Sequence, residues 1–307
     1  MPNIAVSVQA QPTDLRSWLA LARRLDSAGF HALVMGDHPG SGASSWPALG
    51  SAAAVTRALR LGTYVVQAGV REPMHVAADA ATLDILAPGR VLLGIGAGHT
   101  PREWADIGQD RPGPRQRGER LVEFVAAVAA LLNGDTVTQD GRYLTLRGSR
   151  LEDLPGGERV RLLVGGGNPL ILRAAARHAD VVGLSGLGRT LPDGHRHEVR
   201  WSRADLHRQL QLVREEAQQV GNTPILEALV QSVRVTGDRA AVVEEISAKI
   251  PGAAAEDVAH TPFLLIGSHE EMAAQLLRQS EELGITSYVV REQAVPDLER
   301  VLPLLKT

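Results

Sequence analysis

Histidine and carboxylate side chains follow two short apolar runs of this sequence, and both residue types can carry out acid–base catalysis. Asp37-His38 comes after ALVMG, and His99 and Glu103 follow VLLGIGAG. A histidine, with an ordinary pKa of about 6.5, can donate or accept a proton near neutral pH. If both runs are strands of one parallel barrel, their carboxyl ends share a rim. His38 and His99 would then serve one site.

The glycines of GIGAG, residues 94–98, raise the question of a nucleotide site. A dinucleotide fold needs GxGxxG after its first strand, opening directly into a helix. Here the glycines follow the fourth predicted strand, and Thr100-Pro101 comes before any helix can begin. The spacing therefore argues against that fold. The glycines either let neighbouring loops crowd the rim or clear space for a flat cofactor.

A second glycine cluster, GGGNP at residues 165–169, has the features of a phosphate site. A predicted strand ends at Gly165, Asn168 can cap a helix, and Pro169 suits the first helical position. Backbone N–H groups beside the positive end of that helix favour an anion. The alternative interpretation is a strand-to-helix turn with good capping and no ligand.

Other chemistries are disfavoured by residue type. The chain has no cysteine, which excludes disulfides, thiolate metal sites and cysteine nucleophiles. Its lysines are Lys249, in a helical stretch, and Lys306, near the end, so Schiff-base barrel chemistry lacks a lysine at a strand end. His195-x-His197 resembles half of a metal site, but it has no carboxylate at ligand spacing, and we expect a solvated loop and no metal.

Bulk composition bounds the partners. A net charge of −3 over 307 residues gives no preference for nucleic acid or an anionic membrane surface. The longest mostly apolar segment, VEFVAAVAALL, is shorter than the roughly 18 residues of a membrane span. The first residues do not resemble a signal peptide. We therefore expect a cytoplasmic protein without nucleic-acid or membrane partners.

Short β-branched runs alternate with amphipathic stretches, which predicts a parallel sheet. Eight such units in this length suit a closed (β/α)8 barrel, with one domain over residues 1–307. The predicted strands are Ile4–Val8, Ala32–Gly36, Leu61–Val66, Val91–Ile95, Leu162–Gly165, Val181–Leu184, Glu227–Val235 and Ser287–Val290. The run PFLLIG, residues 262–267, is interpreted as a connection.

The predicted helices lie between these strands. They are residues 15–29, Pro73–Leu86, Arg117–Leu132, Ala204–Val220, Ala240–Ile250 and Glu270–Leu283. Two connections are longer than the others: residues 133–161, which contain a predicted hairpin at Asp140-Gly141, and the polar segment 185–203. We expect both to be insertion loops at the carboxyl face, where barrels keep their active sites.

Four segments together resemble the bacterial luciferase-like superfamily, and within it the oxidoreductases that use the deazaflavin coenzyme F420. They are GDHPGSGASSWPAL (36–49), LGTYVVQAGVREP (61–73), AADAATLDILAPGRVLLGIGAGH (77–99) and LLVGGGNPLILRAAARHADVVGL (162–184). The resemblance implies a (β/α)8 TIM barrel, a cofactor across the carboxyl face of its strands, and a homodimer.

The resemblance also implies roles for individual residues. His38 would lie near the reactive carbon of the cofactor and donate a proton, and His99 would contact the cofactor or the substrate. Trp46 would form a wall of the substrate pocket. The implied cofactor-binding residues are Asp37, His38, Tyr64, Val65, Val66, Gln67, Gly98, Gly165, Gly166, Gly167, Asn168, Ser185 and Gly186, with a cis peptide bond expected within Tyr64–Gln67.

One departure bears on the substrate. Some relatives carry a glutamate where this chain has His99, and that glutamate acts in sugar-phosphate oxidation. A sugar phosphate is therefore not expected here, and Glu103 is expected to cap or ion-pair with the following segment. The predicted function is hydride transfer between coenzyme F420 and a small organic substrate. The alternatives are an FMN-dependent monooxygenase and a non-catalytic deazaflavin-binding protein.

Overall fold

The computed structural model describes residues 3–152, 160–191, 197–250 and 253–306. Its centre is a closed barrel of parallel strands, in which every strand pairs with its neighbours along the chain and the last pairs with the first. The barrel strands are β1 (Ala5–Gln9), β2 (Ala32–Met35), β3 (Arg60–Gln67), β4 (Val91–Gly96), β5 (Arg161–Gly165), β6 (Val181–Leu184), β7 (Ile225–Leu229) and β8 (Ile285–Arg291). The predicted TIM barrel is confirmed.

Helices connect the strands around the outside. The α-helices are Leu15–Ala28, Ser45–Ala53, Pro73–Leu86, Pro101–Asp106, Pro114–Leu132, Pro169–His178, Arg203–Gln219, Arg239–Lys249, Ala255–His260, His269–Leu283 and Val295–Val301, with 3-10 turns at Glu292–Ala294 and Leu302–Leu305. The first helix shows why the boundaries fall where they do. Asp14 accepts a hydrogen bond from the Ser17 N–H at 3.0 Å, and Gly29 ends the helix in the left-handed conformation at φ 81°.

In the described part of the chain, three pairs of short strands lie outside the barrel. Val137–Asp140 pairs with Thr145–Ser149 in the predicted hairpin, whose turn spans residues 141–144. Leu187–Thr190 pairs with His197–Val199, and Ser232–Val235 with Leu264–Gly267. Among the described residues, none of the helices has the length and apolarity to cross a membrane.

The seventh strand was predicted at Glu227–Val235, which is too long at its carboxyl end. The barrel strand ends at Leu229, and the Gln231 N–H donates to the Phe263 carbonyl 2.7 Å away, outside the barrel. Ser232–Val235 then forms a small sheet with the apolar run that was interpreted as a connection. The run EALVQSVRV has no Gly or Pro to mark where the chain changes sheets, so its sequence reads as one strand.

The barrel interior is apolar at most positions. The side chains that fill it are Ala32, Val34, Tyr64, Leu92, Leu163, Val181, Leu229 and Val289. Side chains two residues apart in a strand share a face, so Glu227 and Ser287 also point inward. The Ser287 hydroxyl donates to Glu227 Oε2 at 2.7 Å. Burial raises the pKa of the Glu227 carboxyl to about 7.

Candidate functional site

The predicted site residues lie at the carboxyl rim of the barrel. Asp37 and His38 follow β2, His99 follows β4, the segment 165–168 begins at the end of β5, and Ser185 follows β6. This common rim is a consequence of parallel strands, which all end on the same side. The fold therefore brings these separate parts of the sequence to one face.

His38 is paired with a buried carboxylate. Its Nδ1 lies 2.7 Å from Glu103 Oε1, and the Glu103 side chain is only 2% exposed while that of His38 is 42% exposed. The hydrogen bond to Glu103 raises the pKa of His38, against the opposing effect of burial. The expectation that Glu103 caps or ion-pairs with the segment that follows it is wrong, because its carboxylate bonds to His38. The helix Pro101–Asp106 directs this side chain inward, towards the loop after β2.

The neighbouring Asp37 anchors the same loop. Its carboxylate accepts two hydrogen bonds from the Arg71 guanidinium, at 2.7 and 3.0 Å, and the side chain is buried. Arg71 comes from the loop after β3, so this bidentate pair ties two adjacent loops together. The conformation of the chain around His38 is fixed by this pair and by Glu103.

His99 lies between two other imidazoles. Its ring centroid is 6.2 Å from that of His38 and 5.0 Å from that of His197, both in edge-to-face arrangements. Burial, the largest cause, and the positive charges of His197, His38, Arg111 and Arg117 together lower the pKa of His99 to about 4. His99 is therefore neutral near pH 7, and its pKa is shifted in the opposite direction from that of His38.

His197 is placed at the site, contrary to the expectation of a solvated loop. It begins the strand His197–Val199, is partly buried, and has an Nδ1 atom with no partner among the described residues. Its companion in the sequence pattern, His195, lies outside the described residues. In the part of the chain that the structure describes, no group of histidines and carboxylates is arranged to hold a metal ion.

The glycines in and just after β4 make room for β3. A Cβ atom at Gly94 would lie 2.3 Å from the Thr63 carbonyl oxygen, and one at Gly96 would lie 2.6 Å from the Val65 side chain. Gly98 adopts φ 76°, and a Cβ there would meet the Gln67 side chain at 2.3 Å. Of the two explanations open from sequence, crowding of neighbouring segments at the rim is the one that these contacts with β3 support.

The strand β3 has the expected cis peptide bond, between Tyr64 and Val65. The Tyr64 carbonyl accepts a hydrogen bond from Gln9 Nε2 at 2.8 Å, and the Arg291 guanidinium donates to Gln9 Oε1. Gln67, at the end of the same strand, is 4% exposed and its Oε1 has no described partner.

An open cavity of about 340 Å³ lies where β1, β2 and β8 end. Its wall includes Gln9, Gln11, His38 and Arg291. Sequence reasoning did not identify Gln9, Gln11 or Arg291. The signal available was their position at or just after a strand end, which is too common to distinguish them from other polar rim residues.

The segment after β5 has the predicted helix start. Asn168 Oδ1 accepts from the Leu170 N–H at 2.9 Å, and Pro169 is the first helical residue. The Gly166 N–H donates to the Gly183 carbonyl at 3.1 Å and is therefore engaged within the barrel. Gly167 and Asn168 lie at the positive end of the helix. Because the Gly166 N–H is already bonded, fewer backbone N–H groups are available to an anion here than the three glycines suggest.

The remaining predicted residues have packing roles in the structure. Ser185 Oγ accepts from the Leu187 N–H at 3.3 Å, and Gly186 adopts φ 66°, where a Cβ would meet the Phe263 ring at 2.4 Å. Trp46 is in the first turn of the helix Ser45–Ala53 and packs partly against the core. Val66 is fully buried in the core.

The rim contains polar atoms that are buried yet have no partner in the described part of the chain. They are Gln67 Oε1, Glu103 Oε2, Arg111 Nε and His197 Nδ1. Buried polar groups in folded proteins are almost always hydrogen-bonded, so such atoms indicate where a ligand makes contacts. Both donors and acceptors are among these atoms, so a polar ligand could bind to this rim.

Comparison with known proteins identifies similar chains. The sequence profile of a family described as luciferase-like monooxygenase matches residues 2–201. An F420-dependent glucose-6-phosphate dehydrogenase of Beutenbergia cavernae is 37% identical over 196 residues, which are 61% of this chain and 57% of that protein. A 4-hydroxyprotoasukamycin monooxygenase of Streptomyces nodosus subsp. asukaensis is 38% identical over 142 residues, covering 45% of this chain and 38% of that protein. The chain thus spans about half the length of the curated relatives it matches, or less.

Solved structures share the fold over the whole chain. An F420-dependent secondary alcohol dehydrogenase in complex with an F420–acetone adduct superposes with a TM-score of 0.76 at 20% identity, covering 99% of this chain and 100% of that one. An EDTA monooxygenase from Chelativorans sp. BNC1 gives 0.75 at 14% identity, covering 99% and 93%. At these identities the likeness shows the barrel fold alone.

Proposed function

The chain belongs to the luciferase-like monooxygenase family, and on that premise we propose that it is an oxidoreductase that uses coenzyme F420 to transfer a hydride to or from a small organic substrate. The observation that carries the proposal is the His38–Glu103 pair, 2.7 Å apart at the barrel rim. Hydride transfer to a carbonyl or alkene also requires a proton, and a histidine of raised pKa can supply it. The name of the Beutenbergia cavernae relative supports the choice of coenzyme.

Different rim residues would bind the phosphate and the ring of the coenzyme. When bound, coenzyme F420 would supply a hydride donor or acceptor at C5 of its deazaflavin ring. Gly167 and Asn168, at the start of the helix Pro169–His178, suit its phosphate, with Gly165, Gly166, Ser185 and Gly186 around them. Residues 64–67 and Gly98 would form the floor behind the ring, where Gln67 Oε1 offers an acceptor.

The proton chemistry is assigned to His38. With Glu103 accepting the hydrogen bond from Nδ1–H, the Nε2 atom is the one free to hold or release a proton. Asp37 does not itself reach for a ligand, because Arg71 occupies both of its oxygens. It positions the loop that carries His38.

The coenzyme is tested by direct binding. We expect purified protein to bind F420 more tightly than FMN and, when reduced FMN is supplied, to consume no more oxygen than a protein-free control, because free reduced flavin reacts with oxygen by itself. The Streptomyces relative is named a monooxygenase, so the opposite result is a real alternative. Tight FMN binding with oxygen uptake would replace the proposal by flavin monooxygenation.

The catalytic role is tested with His38→Gln, compared with His207→Gln at an exposed position on the helix Arg203–Gln219. We expect His38→Gln to bind F420 normally but to lose about 100-fold or more of the turnover of any substrate found in a reductase screen. The control should match the wild type. Equal turnover in both variants would favour a protein that binds the deazaflavin without catalysis.

We also propose a single-domain homodimer. The helix Pro73–Leu86 leaves Ile85 and Leu86 exposed at 57% and 56%, an apolar surface that a second copy would cover. Light scattering after size exclusion tests this: a dimer mass is expected for the wild type, and a monomer mass for the double variant Ile85→Glu, Leu86→Glu. A monomeric wild type would contradict it. Location in the cytoplasm stays a prediction.

A further inference from the structure

Two buried nitrogen atoms near His99 have no hydrogen-bond partner in the described part of the chain. Arg111 Nε comes from the loop before the helix Pro114–Leu132, and His197 Nδ1 comes from the strand His197–Val199 after β6. The His197 ring is 5.0 Å from the His99 ring, and Arg111 is close enough for its charge to lower the pKa of His99. Two insertions that are far apart in sequence thus direct donors to one place.

Two arginine side chains, Arg111 and Arg117, bring positive charge to the surroundings of His99. Arg117 lies close to Arg111, and burial together with the Arg111 charge lowers the pKa of Arg117 to about 10. Arg117 uses its donors on the Gly98 and Pro112 carbonyls, at 3.1 and 2.6 Å. The Arg117 guanidinium also lies 5.9 Å from the centroid of the Trp104 ring. No ion pair of Arg111 or Arg117 with a carboxylate is present in the described part of the chain, and Arg111 Nε has no hydrogen-bond partner there.

A guanidinium that is partly withdrawn from water is costly unless a negative charge or hydrogen-bond acceptors compensate it, and Arg111 is partly buried with an unpartnered Nε. A carboxylate or phosphate oxygen accepts N–H hydrogen bonds from guanidinium and imidazole and forms strong charge-assisted pairs with arginine. Arg111 has a free N–H for this, and His197 can donate from Nδ1 in the tautomer that carries its proton there. The neutral His99 between them adds a further polar contact without repelling the anion.

We propose that His99, Arg111, Arg117 and His197, here named the oxoanion cluster, bind a carboxylate or phosphate group of the ligand whose reacting atom faces His38. This inference rests on the proposed function for the identity of the site, and it narrows the ligand to one with an oxoanion near its reacting atom. The oxoanion can belong to the substrate or to the coenzyme. Arg111 and His197 are the direct donors, and Arg117 positions the loop and contributes charge.

The test uses inorganic phosphate as the probe and the ring proton signals of His99 and His197 in nuclear magnetic resonance as the readout, at constant ionic strength kept with chloride. Phosphate is expected to shift both signals in the coenzyme-free protein and to raise the pKa of His99. Arg111→Gln should weaken phosphate binding about tenfold or more. Arg115→Gln, whose side chain is exposed and paired with Glu119, is the matched control and should bind as the wild type does.

Repeating the titration with F420 bound identifies the source of the oxoanion. If the group belongs to the coenzyme, phosphate no longer binds and Arg111→Gln weakens F420 affinity. If it belongs to the substrate, phosphate still binds and F420 affinity is unchanged. His197→Gln, checked for folding by thermal unfolding, repeats the test should Arg111→Gln be unstable.

Two results would overturn the inference: His signals that do not respond to phosphate, or equal phosphate affinity in the Arg111 and Arg115 variants. The proposed function fails separately. A protein that binds phosphate at the cluster but not F420 would keep the oxoanion cluster and lose the coenzyme assignment.

Discussion

His38 Nδ1 lies 2.7 Å from Glu103 Oε1, and this contact joins the loop after β2 to the helix Pro101–Asp106, 65 positions apart in the chain. The buried carboxylate fixes the imidazole tautomer and favours its charged form. Adjacent to it, His99 is driven to the neutral form by burial and by positive neighbours. Two histidines whose ring centroids are 6.2 Å apart thereby have pKa values shifted in opposite directions.

Glu103→Gln should lower the pKa of His38. The hydrogen bond to the Glu103 carboxylate is the largest cause of the raised pKa, and burial, which lowers it, would then dominate. Reduction that needs protonated His38 slows as pH rises through this pKa, so the decline should begin at lower pH in the variant. Histidine ring signals followed through a pH titration measure the shift directly. Glu245→Gln, an exposed carboxylate paired with Lys249, should leave it unchanged.

Gly94→Ala should destabilise the barrel. The added Cβ would lie 2.3 Å from the Thr63 carbonyl oxygen, which is backbone and cannot move without displacing β3. The expected loss is about 3 kcal/mol or more of the free energy of unfolding, measured by urea denaturation. At Gly237, which is exposed and has open space around it, the same substitution should cost about 0.5 kcal/mol or less. Equal losses at both positions would contradict the packing role of the glycines.

Glu227→Gln should change how stability depends on pH. The folded pKa of about 7 exceeds the ordinary value of 4.5, so between these values the folded chain binds more protons at Glu227 than the unfolded chain does. The stability contribution of this group is therefore present below about pH 4.5 and is lost as pH rises through 7, roughly 3 kcal/mol in total.

Glutamine does not titrate, so the variant should keep its stability over that range while the wild type loses it. Urea unfolding at about pH 5 and pH 8 measures the difference, which should favour the variant by about 2–3 kcal/mol more at the higher pH. A wild type and variant with parallel pH profiles would mean that Glu227 titrates normally in the fold.

Asn168→Ala should affect both a helix and the coenzyme. Loss of the bond from the Leu170 N–H to Asn168 Oδ1 should cost about 1 kcal/mol of unfolding free energy. The loosened amides at the helix start should also weaken F420 binding, measured by fluorescence titration. Ser268→Ala removes the comparable cap of the helix His269–Leu283 and should lower stability with no change in F420 affinity. Unaltered coenzyme binding in Asn168→Ala would place the phosphate elsewhere.

Much of the fold could be predicted because it depends on local signals. The eight barrel strands have apolar runs, and the caps Asp14, Gly29 and Asn168 bond to residues within four positions of themselves. The helix Ser45–Ala53 was not predicted, because SWPALGSAA has no polar face to reveal a helical period. The predicted end of β7 was wrong for a related reason: residues 227–235 contain no Gly or Pro to mark where the chain leaves the barrel for another sheet.

The sequence by itself determined the strand order and the place of His38 and His99 at the carboxyl rim, because hydrophobic period and capping are properties of neighbouring residues. Only the tertiary structure decided that Glu103 bonds to His38 and that His197 contacts His99. It also decided that Gly94 and Gly96 make room for β3. These contacts join segments separated by tens of residues, and their existence depends on how the loops at the rim meet, which no local pattern encodes.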